Sequence, residues 1–215
     1  PSTIQDFFDV EKFPGKRGVH TWANAIVEMA LYADGVAIPD IYDVLSTQEG
    51  QDRAFNKLDS IKDHVVFWSA GAKPLDLVNS GEVSMSLAYN GRIGGAVLND
   101  GADYVTVWDG QVLEEEWLVL MSGAPNRAAA LHFLVHASST QAQADQAKWI
   151  NYGPMRPSAL PVMQAGEPWF NTGVNIMEHM PNTDEHMKGG ILANPDWWAD
   201  NGQAVNDRYA AWMAN

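Results

Sequence analysis

Hydrophobic and polar positions along this chain follow two periods, and the switches between them mark out the elements. Within 23–33, Ile26, Met29 and Ala30 recur at helical spacing before Asp34-Gly35, which predicts a helix ending there. A second helix is expected after Thr47, whose hydroxyl suits an N-cap. Its Ala54, Phe55, Leu58 and Ile61 form one apolar stripe, and the opposite face is charged. Val65-Val66-Phe67-Trp68 reads as a short buried strand running into Ser69-Ala70-Gly71. A helix over 74–79 should stop at Gly81 in a left-handed C-cap. Residues 83–89 alternate as a strand with Val83, Met85 and Leu87 on one face, and 104–108 and 112–120 read as two more. Helices return at 126–137 and 140–149. The stretch 7–18 and the chain after Tyr152 are turn-rich, and a final helix is expected over 200–213.

Strands alternating with helices predict an α/β fold with crossover connections. Ligands of such sheets sit beyond the carboxyl ends of the strands, where Trp68-Ser69 and Tyr89-Asn90 stand.

Charge narrows the choice of partner. The 27 acidic residues against 13 basic ones give a formal charge of −14, which excludes a basic footprint for nucleic acid and favours a small cation by long-range attraction. The absence of cysteine removes disulfides, thiolate chemistry and cysteine zinc sites. Nine tryptophans are many for 215 residues, and some are expected to line a groove. No apolar run approaches the ~20 residues of a membrane span. The opening residues Pro1 to Asp6 have neither a basic start nor an apolar segment. The chain is therefore expected to be processed, cytoplasmic or part of something longer.

Candidate chemistry is sparse. His132 and His136, four apart on a predicted helix, have metal-ligand spacing but no third ligand nearby; packing or surface positions fit them better. His179 and His186 flank an acidic stretch, Pro181 to Glu185, for which a solvated loop is expected rather than a weak metal site. No Gly-x-Ser-x-Gly elbow occurs, and Gly91-Arg92-Ile93-Gly94-Gly95 lacks the Lys-Ser/Thr ending of a phosphate loop. Glu114 and Glu116 would share one face of a strand, which leaves open an enzyme that uses either as a base or a solvated edge. Trp68, Tyr89 and Tyr152 stand beside small or turn-forming residues. Aromatic faces near a carboxylate form a receptor for an alkylammonium ion.

Several segments, in order, resemble the spermidine/putrescine-binding-like family of bacterial ABC-importer extracellular solute-binding proteins. They are Asp6-Phe7-Phe8-Asp9-Val10-Glu11-Lys12-Phe13-Pro14-Gly15-Lys16-Arg17, then Tyr42-Asp43-Val44-Leu45, then Leu77-Val78-Asn79-Ser80-Gly81-Glu82-Val83 leading into Ala88-Tyr89-Asn90-Gly91-Arg92-Ile93. Gly123-Ala124-Pro125-Asn126, Tyr152-Gly153-Pro154 and Trp197-Trp198-Ala199-Asp200-Asn201 follow. The resemblance implies a type II periplasmic-binding-protein-like lobe with a partial second lobe, no enzymatic activity, no metal and no cofactor. It implies periplasmic capture of a small cationic, polyamine-like amine and delivery to an ABC permease. Ligand contacts would come from Trp68, Ser69, Tyr89, Glu116 and Tyr152. Polyamine binders carry acids where this chain reads His20-Thr21-Trp22-Ala23-Asn24-Ala25, so Trp22 takes their place and a monoamine, short diamine or amino acid-like solute stays open.

By the same resemblance, 1–112 and 166–215 would form the second (C-terminal) lobe, and 113–165 a crossover and a remnant of the first. A chain that opens at its second lobe would hold its solute weakly and expose an apolar face able to make homo-oligomers. A stand-alone interaction domain is the remaining alternative.

Overall fold

The computed structural model describes residues 1–165 and 173–214. The N-terminal segment forms a short helix, α1 (Ile4–Phe8), that turns Ile4, Phe7 and Phe8 inward. Strand β1 (Arg17–His20) follows and is buried along its whole length. Sequence pattern misses it because a central strand covered on both faces does not alternate, and this one contains Arg and Gly. The buried Arg17 guanidinium donates to the carbonyls of Phe7 at 2.8 Å, Gly15 at 2.7 Å, Asp9 at 3.2 Å and Phe13 at 2.7 Å. It thereby organises the turn-rich segment that precedes it, and burial lowers its pKa. Gly18 is required for close approach, since a Cβ there would lie 2.1 Å from Ser86 Oγ.

Next come α2 (Ile26–Ala33), α3 (Ile41–Leu45) and α4 (Gln48–Asp59). Thr47 caps α4 as expected, its hydroxyl accepting from the Gly50 N–H at 3.0 Å. The stripe Ala54, Phe55, Leu58 and Ile61 is buried. Strand β2 (Val65–Trp68), helix α5 (Lys73–Asn79) and strand β3 (Met85–Ser86) complete a parallel sheet of order β2-β1-β3, with His20 opposite Trp68 and Arg17 opposite Met85. Gly81 lies at φ +72°, the expected left-handed position.

Helix α6 (Asn90–Asp100) starts immediately beyond β3. Strand β4 (Val112–Leu113) is followed by α7 (Arg127–Ala137), α8 (Thr140–Gln146) and α9 (Ala159–Gln164), and β5 (Ile191–Leu192) leads into α10 (Pro195–Ala214). β4 and β5 pair in parallel, Val112 opposite Ile191. They are tied to the main body by Asp109, which accepts from the Ile4 N–H at 2.9 Å and from the Tyr32 hydroxyl at 3.0 Å.

The main core joins α1, β1, α2, α3 and α4 to Ile191 and to Trp197, Val205, Tyr209 and Trp212 of α10. A second core gathers Leu98 of α6 with Ala144, Ala147, Ala159, Met163, Ile176 and Met180. The expected lobe boundary at residue 166 falls outside the described residues.

The structure corrects several expected elements. Residues 83–89 pair only over β3, residues 104–108 are unpaired, and of 112–120 only the two residues of β4 pair. Ser84 and Leu87 still donate to the Lys16 and Gly18 carbonyls beside β1, whereas 104–108 and 114–120 have no neighbouring strand among the described residues. The Gly-rich stretch 91–95 lies inside α6. Gly91 and Gly94 are accepted there because Tyr152 and Asn151 press against them, a Cβ at Gly91 falling 2.5 Å from Tyr152 Cε1. The last helix begins at Pro195, earlier than expected, because Asn194 Oδ1 accepts from the Trp197 N–H at 3.0 Å and Pro195 suits the first turn.

Candidate functional site: an aromatic and carboxylate cluster at the strand ends

The carboxyl ends of β1, β2 and β3 come together, and each carries an aromatic side chain into or just beyond its last residue. His20 ends β1 and lies flat against Trp22, with ring centroids 4.5 Å apart and planes 3° apart. Trp68, which ends β2 and is 3% exposed, stands at right angles to both, 5.5 Å from His20 and 5.4 Å from Trp22. Tyr89, just past β3 and entering α6, meets Trp68 at 6.3 Å. Tyr152 packs on Gly91 in the first turn of the same helix. The loop 21–25 is held by Thr21 N–H donating to the Trp68 carbonyl and Ala23 N–H donating to Asn206 Oδ1.

That loop is also strained. Ala25 lies at φ 67° and ψ −49°, and the Ile26 N–H reaches back to the Asn24 carbonyl at 2.9 Å, which is a γ-turn of the rare, strained kind. Outliers of this sort concentrate where a loop must hold one particular shape.

Two carboxylates act electrostatically on the Tyr89 end of this row of rings. Burial first, then the charges of Glu114, Tyr152 and Glu116, push the Tyr89 phenol up. Glu114 is exposed at the surface, and partial desolvation first, then the Glu116 charge, raises its carboxyl. Glu114, Tyr152 and Glu116 thus lie within electrostatic range of Tyr89. Burial holds His20 neutral by lowering its pKa to about 4. Its Nδ1 and the Trp68 Nε1 have no hydrogen-bond partner among the described residues.

Of the residues singled out from the sequence, Trp22, Trp68 and Tyr89 form one chain of ring contacts. Tyr152 and Glu116 lie in the neighbourhood of Tyr89. Ser69 is exposed in the turn after β2, beside Trp68 and in none of these contacts. Sequence reasoning missed His20, although its place two residues from Trp22 beside a strand end is a readable signal. It also missed Glu28, which is fully buried in α2 and gives no sign in a pattern of otherwise apolar neighbours.

The other candidates fall away from this cluster. His132 and His136 are both exposed on α7. His186 stacks on Trp108 at 4.4 Å and its Nδ1 lies 2.6 Å from the Met180 carbonyl oxygen, so its expected place in a solvated loop is corrected to a packed one. Among the described residues no group of three His, Asp or Glu side chains is placed to hold a metal. A cavity of about 170 Å³ lies between α6, residues 104–108, Asn151 and His179, and none of Trp22, Trp68, Tyr89 and Tyr152 lines it.

Residues 1–178 match the family described as bacterial extracellular solute-binding proteins. The chain is 36% identical over 214 residues to the gamma-aminobutyric acid-binding protein of Pseudomonas aeruginosa, a match that takes in 100% of this chain and 58% of that protein. It superposes with a TM-score of 0.84 on an ABC transporter substrate-binding protein from Bradyrhizobium japonicum at 35% identity, over 99% of this chain and 63% of that one. The periplasmic binding protein MotA of A. tumefaciens, solved with glucopine, gives 0.84 at 30% identity over 99% and 64%. A solved GABA receptor gives 0.80 at 33% identity over 99% and 62%. The chain thus spans less than two thirds of the length of these relatives. It belongs to the bacterial extracellular solute-binding protein family and has the α/β periplasmic-binding-protein fold.

Proposed function

We propose that this member of the bacterial extracellular solute-binding proteins contributes to the capture of a small ammonium-bearing solute, at the cluster formed by Trp22, Trp68, Tyr89, Tyr152, Glu114 and Glu116, with Ser69 at its rim. What supports this reading is the row of packed rings Trp22, Trp68 and Tyr89, with the charges of Glu114 and Glu116 acting on its Tyr89 end. The rings suit the methylenes and attract the cation, and the carboxylates fix the charged end. Delivery of the solute to an ABC permease and a place in the periplasm go with the family. Nothing in this reading calls for turnover, a metal or a cofactor.

The solute class we favour is amino acid-like. Relatives named for gamma-aminobutyric acid and an opine handle molecules that carry carboxylate as well as nitrogen. Arg92, exposed in the first turn of α6 three residues after Tyr89, has no carboxylate partner among the described residues and suits the acid end of such a solute. A long polyamine is less well served, because the loop 20–25 offers it no second carboxylate.

The lobe division follows the cores. The expected assignment put residues 1–112 and 166–215 in one lobe and 113–165 in the crossover and the other. Leu98 packs with Ala144 and Met163, which supports moving α6 to the side of α8 and α9, with β4 and β5 as crossing strands.

A melting-temperature screen tests the function. 4-Aminobutyrate should raise the melting temperature more than spermidine at equal concentration, because a ligand that binds only the native state stabilises it. Spermidine outperforming 4-aminobutyrate would return the polyamine to first place, and no response to any amine or amino acid would remove the reading.

A further inference from the structure

The Glu28 side chain is fully buried in α2, and one of its oxygens carries all of its side-chain partners. Oε1 accepts from the Tyr42 hydroxyl at 2.9 Å and from Trp198 Nε1 at 2.7 Å. Oε2, equally buried, has no hydrogen-bond partner among the described residues. Two neutral donors on one oxygen, a second oxygen without a partner and complete burial leave the ionised form without the counter-charge it would need. Among the described residues no ion pair involves Glu28.

Its surroundings converge from the two crossing strands. Tyr42, from α3, also accepts the N–H of Asn194, two residues beyond β5. Trp198 lies in the first turn of α10, which β5 feeds. Glu114 follows β4 directly. The titratable groups acting on Glu28 are therefore Tyr42 and Glu114. Toward Glu28 the first donates, because burial and the Glu28 charge hold its phenol protonated, and the second is an acid. Neither offers the positive charge that an ionised, buried carboxylate requires.

We propose that Glu28 is a proton-binding site lodged under the crossing strands, occupied below neutral pH, and that losing its proton loosens the seat of α10 and of the β4 end on α2. Burial, with a smaller contribution from the Glu114 charge, raises its pKa to about 7, and the hydrogen bonds from its own backbone, Trp198 and Tyr42 pull the other way. Glu114 also belongs to the cluster assigned to the solute, so an ammonium ion bound beside it would favour ionised Glu28. Solute capture would then release a proton near neutral pH. This last consequence rests on the proposed function, whereas the proton site itself does not.

The proton site is tested without any ligand, by following melting temperature from pH 4.5 to 8.5 for the wild-type chain and Glu28→Gln. Glutamine keeps an accepting oxygen for Tyr42 and Trp198 and mimics the protonated acid. The two proteins should melt together at pH 4.5, with the wild type falling behind Glu28→Gln progressively as pH rises through about 7. The ¹³C resonance of the Glu28 carboxyl should titrate in the same window. Parallel melting profiles, or a carboxyl that titrates near its ordinary 4.5, overturn the proposal. If Glu28→Gln fails to fold, the wild-type resonance decides alone. Proton release measured by titrating 4-aminobutyrate in buffers of different ionisation enthalpy then addresses the link to the solute separately.

Discussion

At the scale of single residues, each ring and carboxylate of the cluster carries its own expected effect. If Glu116 holds the ammonium end, Glu116→Gln should weaken amine binding by about 1.5–3 kcal/mol, the worth of a charge-assisted hydrogen bond. The melting temperature without ligand should stay unchanged, since Glu116 is exposed. Calorimetry showing equal affinity would remove Glu116 from the cluster. Tyr89→Ala should cost affinity for a cation about tenfold or more with little loss of stability, because Tyr89 is 42% exposed. Trp68 is different: at 3% exposure and packed on Leu77 and Val83, its truncation should destabilise the fold as well. His20 supplies a pH signature. Its folded pKa lies below its unfolded one, so the unfolded chain binds more protons between pH 6.5 and about 4. Stability present above pH 6.5 is lost as pH falls through that window, by an amount on the order of 3 kcal/mol. Glu28 acts in the opposite direction over pH 4.5 to about 7, so the two nearly cancel in the wild type. The Glu28→Gln chain should therefore show the His20 slope uncovered, and a flat profile in that variant would contradict the assignment.

At the scale of elements, legibility in the sequence tracked burial on one face. Helix α4 could be read because Thr47, the stripe from Ala54 to Ile61 and the charged far side all repeat one message. β1 was illegible because it is buried on both faces and built around an arginine whose partners are backbone carbonyls, which no side-chain pattern reveals. The segment 114–120 carries strand-forming residues without a neighbouring strand among the described residues, so its propensity is unused. The aromatic members of the site could be picked out as rings at strand ends, but their contact with His20, and the burial of Glu28, come only from tertiary packing. Two variants probe these elements. Thr47→Ala should cost about 1 kcal/mol by removing the α4 cap, measured by urea unfolding. Ala25→Gly should stabilise by about 1 kcal/mol if the γ-turn at φ 67° is strained, and a destabilised variant would show that the turn carries no strain.

At the scale of the whole molecule, apolar surface is concentrated in the later half. Trp117, Val119 and Met121 are exposed by 64%, 68% and 70%, and Phe133 and Val135 of α7 by 58% and 75%. Helix α7 buries no residue, although it is apolar nearly all round. Patches of this kind drive association, so light scattering should show mass rising with concentration. Leu131→Ser with Phe133→Ser should suppress that rise, and an unchanged mass profile would exclude α7 as the contact. The chain spans less than two thirds of the length of the relatives it matches. The decisive measurement registers binding at named residues. In ¹⁵N-labelled protein, titration with 4-aminobutyrate should shift the indole N–H resonances of Trp22 and Trp68 along saturable curves, while those of Trp197 and Trp212, which α10 turns into the main core, stay in place. Movement of all indoles together, or none at concentrations of tens of millimolar, would contradict the claim that the strand-end cluster receives the solute.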